Sequence, residues 1–180
     1  MRAFWRNIWR IGVLSALAAM PQPALADSLS VTASGVIANA CSINVASPFA
    51  PFSLDQAGST SASATVNCNS GFSIRATSTG GALRAARAAP TGFDNALPYS
   101  LTVSIPLDNA VVVTGSCSAA RLIAGQATCA LSPAGAGLSS GGISAINRTA
   151  QLQVVWQAPA QSLVAGAYTD TITLSIAVQP

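Results

Sequence analysis

The sequence predicts an all-β sandwich that is exported and stapled by disulfide bonds. Apolar residues recur at every second position in several short stretches, which is the period of strands with one buried face. The chain contains neither Glu nor Lys, which are strong helix formers, and Ser, Thr, Gly and Ala fill much of it. Four cysteines follow an N-terminal stretch that has the pattern of a secretory leader.

Residues 1–26 show the three parts of a secretory signal peptide. Three arginines precede an apolar stretch from residue 11 to residue 20, and Ala24-Leu25-Ala26 supplies the small residues that a signal peptidase reads. The apolar stretch is too short for a membrane-spanning helix, which needs about 20 residues. We therefore expect cleavage before Asp27 and no membrane span in the chain that remains.

The side-chain charges expected after cleavage exclude a nucleic-acid-binding face. The whole chain has eight basic and five acidic residues, all of them Arg and Asp. Three of the arginines lie in the leader, so the positive and negative charges that remain are equal in number. A nucleic-acid footprint requires a clustered basic surface, and the remaining arginines are spread along the chain.

The four cysteines predict a disulfide framework. An even number of cysteines in an exported chain indicates disulfides, and four cysteines permit three pairings. We favour Cys41–Cys68 and Cys117–Cys129, because each bond joins neighbours in sequence. A metal site is disfavoured, since the chain has no His and the spacing of its cysteines fits no common zinc pattern.

Alternation along the chain predicts about eight short strands separated by loops. The strands are expected at residues 29–37 and, with the same parity, 41–45, then at 62–68, 72–76, 99–105, 111–113, 152–156 and 172–178. Loops rich in Gly, Pro or Ala are expected at residues 47–61, 78–96 and 133–142, and Cys117 and Cys129 bracket a hairpin or a loop. Short strands with turn signals between them are typical of a β-sandwich.

The residue types that most catalytic mechanisms need are missing. The chain has no His, Glu or Lys after the leader, so the commonest general base and amine nucleophile are absent. The five aspartates are scattered and lie in no catalytic motif, and a Ser nucleophile has no neighbour of the right type to activate it. Trp156 lies on an alternating strand, which favours core packing over a sugar-stacking role. We expect neither an enzyme nor a cofactor.

Several motifs lie in a recognisable order. Cys41 comes early in the expected mature chain, Val66-Asn67-Cys68 forms a V-x-C strand, and Leu97-Pro98-Tyr99-Ser100-Leu101 matches an L-P-Y-N-L motif except at Ser100. The run from Ala165 to Leu174 has the form A-G-x-Y-x-D followed by alternating apolar residues. Together these motifs resemble the spore coat protein U domain family, over nearly the whole expected mature chain.

The resemblance implies a fold and a way of assembling. The family includes pilin subunits of archaic chaperone–usher pili, whose immunoglobulin-like sandwich lacks its last strand and so has a hydrophobic groove. A periplasmic chaperone fills the groove first, and the N-terminal strand of the next subunit fills it in the fibre. The resemblance implies a domain at residues 41–180 and a donor segment at residues 27–40. The Cys117–Cys129 pair departs from the family's minimal pattern.

Two sets of residues are expected to take part in strand exchange. The alternating apolar residues of the N-terminal segment are the donor candidates, namely Leu29, Val31, Ala33 and Ile37. The same segment also fits the protein's own first strand, and both alternatives stay open. The last strand is expected to form the edge of the groove, through Ile172, Leu174, Ile176 and Val178.

The function that the sequence favours is a structural subunit of a pilus or fimbria, in adhesion or biofilm formation. Its expected partners are a periplasmic chaperone, an outer-membrane usher and other pilus subunits, and its expected location is the cell surface, reached through the periplasm. One alternative is a secreted adhesin or sugar-binding module, which requires exposed aromatic side chains in a cleft. Another is a free-standing coat or matrix protein with a complete fold.

Overall fold

A computed structural model describes residue 32 and residues 34–126 and 129–179 of the 180-residue chain. The chain divides into two units, Met1–Val36 and Ile37–Pro180, and the strands and the helix of the described residues all belong to the second unit. The expected leader lies outside the described residues, as do Leu29, Val31 and Ala33 of the expected donor segment.

The described residues form thirteen strands and one short 3-10 helix. Seven strands have seven or more residues: β1 (Cys41–Ser47), β2 (Gly58–Cys68), β3 (Phe72–Ser78), β7 (Tyr99–Pro106), β8 (Val112–Ser118), β10 (Ala145–Trp156) and β13 (Ile172–Val178). Six are short: β4 (Leu83–Ala85), β5 (Phe93–Asp94), β6 (Ala96–Leu97), β9 (Leu138–Ser139), β11 (Ser162–Leu163) and β12 (Tyr168–Thr169). The helix is Ala119–Leu122. The prediction of an all-β protein is confirmed.

Two antiparallel sheets form the body of the fold. The larger sheet has the order β1-β2-β10-β7-β8, and the smaller one has the order β13-β3-β9. Two minor sheets, β12-β4-β6 and β11-β5, are built from the short strands. Buried residues of both principal sheets belong to one hydrophobic core, so the sheets pack face to face as in a sandwich.

The core is formed by the inward residues of the alternating strands. On β2 the buried residues are Ala62, Ala64, Val66 and Cys68, and on β7 they are Tyr99, Leu101, Val103 and Ile105. The smaller sheet contributes Phe72, Ile74 and Ala76 from β3. The parity that the sequence predicts for these strands is confirmed, and so is the core position of Trp156, which is 3% exposed.

The first disulfide joins β1 to β2 at the end of the larger sheet. Cys41 lies directly opposite Cys68 in the antiparallel register, and their Cα atoms are 4.2 Å apart. Because β1 has β2 as its only strand neighbour among the described residues, the bond fixes an edge strand that ladder hydrogen bonds hold from one side only.

The second disulfide closes one side of the sandwich. Cys117, near the end of β8, is bonded to Cys129 in the loop before β9, with their Cα atoms 6.1 Å apart. The same loop places the fully buried Leu131 in the core, and the Leu131 carbonyl accepts a hydrogen bond of 2.7 Å from the Ala76 amide on β3. The loop therefore links β8, at the edge of the larger sheet, to β3 of the smaller sheet. Both disulfides have the pairing that the sequence favours.

Loss of the second disulfide is expected to destabilise the protein without changing its fold. For Cys117→Ser combined with Cys129→Ser we expect the free energy of unfolding to fall by about 3 kcal/mol, because the unfolded chain gains freedom over the loop that the bond closes. Urea titration checks this, with Ser118→Ala, an exposed neighbour, as the control. A midpoint equal to that of the control would show that the loop holds without its covalent link.

Three expected loops contain regular structure. The stretch 78–96 includes β4, β5 and the first residue of β6, and the connection 133–142 includes β9. The loop expected at 47–61 ends earlier, because β2 begins at Gly58. The two- and three-residue strands among these arise from pairing with distant segments, such as Leu83 opposite Leu97 and Thr169 opposite Arg84, which short-range alternation does not encode.

Candidate functional site

An open groove lies between the edge strands of the two principal sheets. It has a volume of about 600 Å³, which is within the usual range for ligand-binding pockets. One wall is β1, through Ile43 and Val45, and the other is β13, through Ile172 and Leu174. The groove is thus a gap in the side of the sandwich through which the core is reached.

The apolar side chains of both walls are only partly covered. Of the four residues that alternate inward on β13, three are half-buried and Val178 is exposed, and Val45 on β1 is 76% exposed. In contrast, Val66 on the neighbouring β2 points to the same side of the sheet and is fully buried. Inward apolar residues with this exposure form an uncovered apolar patch at this edge of the sandwich.

The backbone of both walls has a free edge. β13 pairs with β3 along its full length, from Ile172 opposite Ser78 to Val178 opposite Phe72. β1 pairs with β2, and among the described residues neither edge strand has a second strand neighbour. An edge of this kind presents unpaired N–H and C=O groups that a further strand can bind.

Small residues form the floor of the groove. Ala62 and Ala64 of β2 lie in it beside Leu152 and Val154 of β10, and all four belong to the buried core. Ala64 lies opposite Val45 in the register, so its short side chain leaves room above the floor. A guest residue inserted here would contact core side chains directly.

Aromatic side chains bound one end of the groove. Phe49 and Phe52 come from the loop after β1, and Phe52 stacks on Trp156 with ring centroids 4.5 Å apart. The Trp156 indole donates a 2.9 Å hydrogen bond to the Gln56 carbonyl, which holds the loop on the core. Gly58 must lack a side chain, because a Cβ there would come within 2.8 Å of the Trp156 ring.

Two of the motifs noted in the sequence meet at the groove. The Tyr99 hydroxyl and the Ser78 hydroxyl each donate a 2.6 Å hydrogen bond to the Asp170 carboxylate. The amides of Gly80 and Thr171 donate to the other carboxylate oxygen at 2.8 Å each. Burial raises the pKa of Tyr99 well above its usual range, and the hydrogen bond to Asp170 is the second cause of this rise.

This network fixes the start of β13. Asp170 comes two residues before the strand, and its carboxylate joins β7 through Tyr99 and β3 through Ser78. Hydrogen bonds to an ionised group contribute about 1.5–3 kcal/mol each when well formed. Asp170, which the sequence shows only as one of five scattered charges, therefore positions one wall of the groove. Its hydrogen bond to Tyr99 joins the A-G-x-Y-x-D motif to the L-P-Y motif.

A second aspartate holds a bulge at the start of β10. The register between β2 and β10 shifts between Ala145 and Arg148. Asp108 accepts hydrogen bonds there from the Ser144 hydroxyl at 2.7 Å, the Ile146 amide and the Arg148 guanidinium at 2.7 Å. The hydrogen bond from Ser144 is the main cause of a lowered pKa at Asp108, and the hydrogen bond from Arg148 is the second cause.

Acid is expected to weaken this bulge. Because the folded-state pKa of Asp108 is below the unfolded value, its ionisation stabilises the fold at neutral pH, and that contribution is lost as the pH falls through the folded-state pKa. We expect the urea midpoint of the wild type to drop more than that of Asp108→Asn between about pH 6 and about pH 3. Asp55→Asn is the control for loss of one exposed carboxylate. Parallel pH profiles for the wild type and Asp108→Asn would contradict this assignment.

The structure places the predicted site residues as follows. Ile172 and Leu174 line the groove, whereas Ile176 and Val178 continue β13 beyond it. Ile37 is 88% exposed and lies in no strand, since β1 begins at Cys41. The donor role of Leu29, Val31, Ala33 and Ile37 stays a prediction.

The groove contains residues that the sequence analysis did not assign to a site. These are the β1 wall, the alanines of the floor and the two phenylalanines of the loop. The sequence could have indicated Ile43 and Val45 as inward-facing residues, because they continue the alternation that starts at Leu29. The sequence gives no indication of a role for Phe49 and Phe52, since the loop around them has no periodicity.

Other kinds of site find no support in the described part of the chain. There, no cluster of three or more His, Cys, Asp or Glu side chains is arranged to bind a metal ion. Within the same residues, no helix has the length and apolar character needed to cross a membrane. Among the described residues that line the groove, Asp170 alone is charged, and its carboxylate accepts the hydrogen bonds already described.

Comparisons of the chain with protein-family models, with curated proteins and with solved structures found no match. The resemblance to spore coat protein U domains therefore stays a prediction based on the motifs, and the functional proposal depends on the groove.

Proposed function

We propose that this protein is a structural subunit of an extracellular fibre of the pilus type, assembled by strand exchange between subunits. The observation that carries the proposal is the open groove between β1 and β13, in which core residues are reachable from outside. A strand supplied by a second copy would pair with the free edge and cover the apolar walls. This is β-strand addition, in which backbone hydrogen bonds give affinity and alternate side chains give specificity.

The spacing of the inward residues along each wall is that of a β-strand. Each wall presents two inward residues separated by one position, Ile43 and Val45 on one side and Ile172 and Leu174 on the other. Alternate residues of a strand are about 6.6–6.8 Å apart, so an inserted strand would place successive inward side chains opposite successive wall residues. Burial of an aliphatic side chain contributes about 1.5–3 kcal/mol, and the free edge adds ladder hydrogen bonds.

The N-terminal segment is the donor that the sequence offers. Leu29, Val31 and Ala33 have the required spacing, and the residues between them, Ser30 and Thr32, suit the outward face. The segment precedes the disulfide-anchored start of β1. Each copy would therefore have one groove and one donor, which makes a head-to-tail chain of copies.

The disulfides and the exposed groove also bear on the cellular location and the partners of the protein. Disulfides form and persist in oxidising compartments such as the periplasm and the cell surface, and both disulfides of this chain join buried or half-buried positions. Before assembly the exposed groove would promote aggregation. We therefore propose a periplasmic chaperone that covers the groove and an outer-membrane usher that receives the subunit, with a role of the fibre in adhesion or biofilm formation.

Removal of the donor tests the proposal. We expect the purified chain lacking residues 27–38 to stay monomeric, under conditions in which the chain that begins at Asp27 polymerises, as measured by light scattering and electron microscopy. Ser30→Ala combined with Thr32→Ala is the control, because it changes only the residues expected to face outward. Polymerisation of the truncated chain would overturn the donor assignment.

One feature favours a second candidate function, a carbohydrate-binding module. Phe52 is 37% exposed at the end of the groove, and Phe49 is half-buried beside it. An exposed aromatic ring can stack on a sugar. Trp156, however, is buried beneath Phe52 and offers no free face. Binding of a glycan array by the monomeric truncated chain, and its loss in Phe52→Ala, would favour this alternative.

A further inference from the structure

Asn69 holds the chain that leads into β1. It lies directly after Cys68 in the short connection between β2 and β3. Its side-chain oxygen accepts a 2.8 Å hydrogen bond from the Ala40 amide, and its side-chain amide donates one of 3.0 Å to the Ala38 carbonyl. Its backbone N–H donates to the Ala40 carbonyl at 3.2 Å. One residue thus makes three hydrogen bonds to residues 38–40.

The side chain acts here as a substitute for a peptide group. A carboxamide offers one acceptor and two donors in a plane, and in an antiparallel ladder alternate residues of a strand present N–H and C=O groups to the same neighbour. Asn69 therefore continues the pairing of β1 beyond the Cys41–Cys68 bond, although β2 has ended. None of Ala38, Asn39 and Ala40 has a positive φ, so the held segment contains no left-handed residue.

The segment held at 38–40 opposes one competing arrangement. The free edge of β1 borders the groove, so a chain that turned back at residues 38–40 would pair with β1 and fill the groove of its own subunit. A three-residue loop would set Ile37 opposite Cys41 and Ala33 opposite Val45. With this register the apolar residues of odd number face inward, which makes self-filling favourable.

Shorter turns do not give the same result. A two-residue loop at 38–39 would set residue 36 opposite Cys41 and would turn Ser34 and Thr32 inward, because a shift of one position moves every side chain to the other face. Three-residue hairpin loops need one residue in the left-handed conformation. The favourable arrangement therefore requires a left-handed residue within 38–40, in a segment that Asn69 holds without one.

Resting on the proposed function, we propose that Asn69 is a positioning residue that keeps the N-terminal segment out of its own subunit's groove, so that the segment is available to the next copy. The two side-chain hydrogen bonds bias the chain towards the conformation seen at residues 38–40 and disfavour the loop. Since both hydrogen bonds favour the held conformation, we expect their loss to change the balance about tenfold.

Refolding at low protein concentration tests the proposal. The chain from Asp27 is unfolded with its disulfides intact, diluted, and then assayed for polymer by light scattering and for protection of residues 27–37 from protease in the monomer. We expect Asn69→Ala to raise the ratio of protected monomer to polymer about tenfold. Asn69→Asp keeps the acceptor for Ala40 and loses the donor to Ala38, and we expect a smaller rise.

Two further variants make the result specific. Asn67→Ala changes an exposed asparagine two residues earlier, which makes no side-chain hydrogen bond within the described residues, and should behave as the wild type. Asn39→Gly favours the left-handed loop without touching Asn69 and should shift the balance in the same direction, even if Asn69→Ala folds poorly. Wild-type ratios for Asn69→Ala, or for Asn39→Gly, would overturn the proposal.

The outcome can be separated from that of the proposed function. If the chain lacking residues 27–38 stays monomeric while Asn69→Ala polymerises as the wild type does, strand exchange stands and the role of Asn69 falls. If the truncated chain polymerises, both fall.

Discussion

A donor strand appended at the C-terminus is expected to turn the subunit into a stable monomer. The start of β1 and the end of β13 lie at the same end of the sandwich, because Asn69 donates to the Ala40 carbonyl and Gln179 donates to the Gly71 carbonyl beside it. A segment that follows β13 through a tight turn would therefore run back along the groove. Eleven residues in the extended form, at about 3.3 Å each, are long enough to reach Leu174 and Ile172.

The variant takes the chain lacking residues 27–38 and adds residues 27–37 after Pro180 through an Asn-Gly turn. Burial of two of its aliphatic side chains against the half-covered inward residues of β13 is expected to raise the free energy of unfolding by roughly 3 kcal/mol over that of the truncated chain. The ladder hydrogen bonds oppose the entropy cost of ordering the segment. Urea titration and light scattering measure stability and size.

The matched control has the same appended segment with Leu29, Val31 and Ala33 each replaced by Ser. It keeps the length and the backbone groups of the donor and removes the apolar side chains. We expect this control to unfold at the midpoint of the truncated chain. Equal midpoints for the apolar and the serine segments would show that the groove does not select alternate apolar residues, which contradicts strand insertion.

Alternation predicted which faces of the strands point inward, but not which of those faces are covered. Val66 and Val45 follow the same rule in the sequence, yet Val66 is fully buried and Val45 is 76% exposed. The difference arises because β2 lies between two strands, whereas β1 has one neighbour among the described residues. Coverage is a property of strand order, and strand order depends on pairings such as Ala62 with Leu152 that are distant in the chain.

The sequence could not predict the polar contacts of the fold, because they too join residues that are distant in the chain. Asp170, just before β13, contacts Tyr99 of β7 and Ser78 of β3, and Asp108 contacts Ser144 and Arg148. Each aspartate alone fits a turn or a solvated surface. The sequence could predict the disulfides, because each of them joins two cysteines that are neighbours in the order of the chain.

A charge placed on the groove wall is expected to abolish assembly and leave the subunit folded. Leu174 points inward on β13 and is half-buried, so Leu174→Asp keeps its carboxylate hydrated in the free subunit. An inserted donor would cut off that water and leave the carboxylate without a partner. An unpaired buried polar group costs about 1–3 kcal/mol, and an ionised one costs more.

We therefore expect Leu174→Asp to lower the rate and the extent of polymerisation at least about a hundredfold, since each 1.4 kcal/mol is a factor of ten. Ser175→Asp, whose side chain is exposed and points away from the groove, is the matched control and should polymerise as the wild type does. Circular dichroism and urea titration verify that both variants fold. Because the two substitutions add the same charge to adjacent positions of one strand, a difference between them reports the inward face of β13. Equal assembly by both variants would place the contact between subunits elsewhere on the protein.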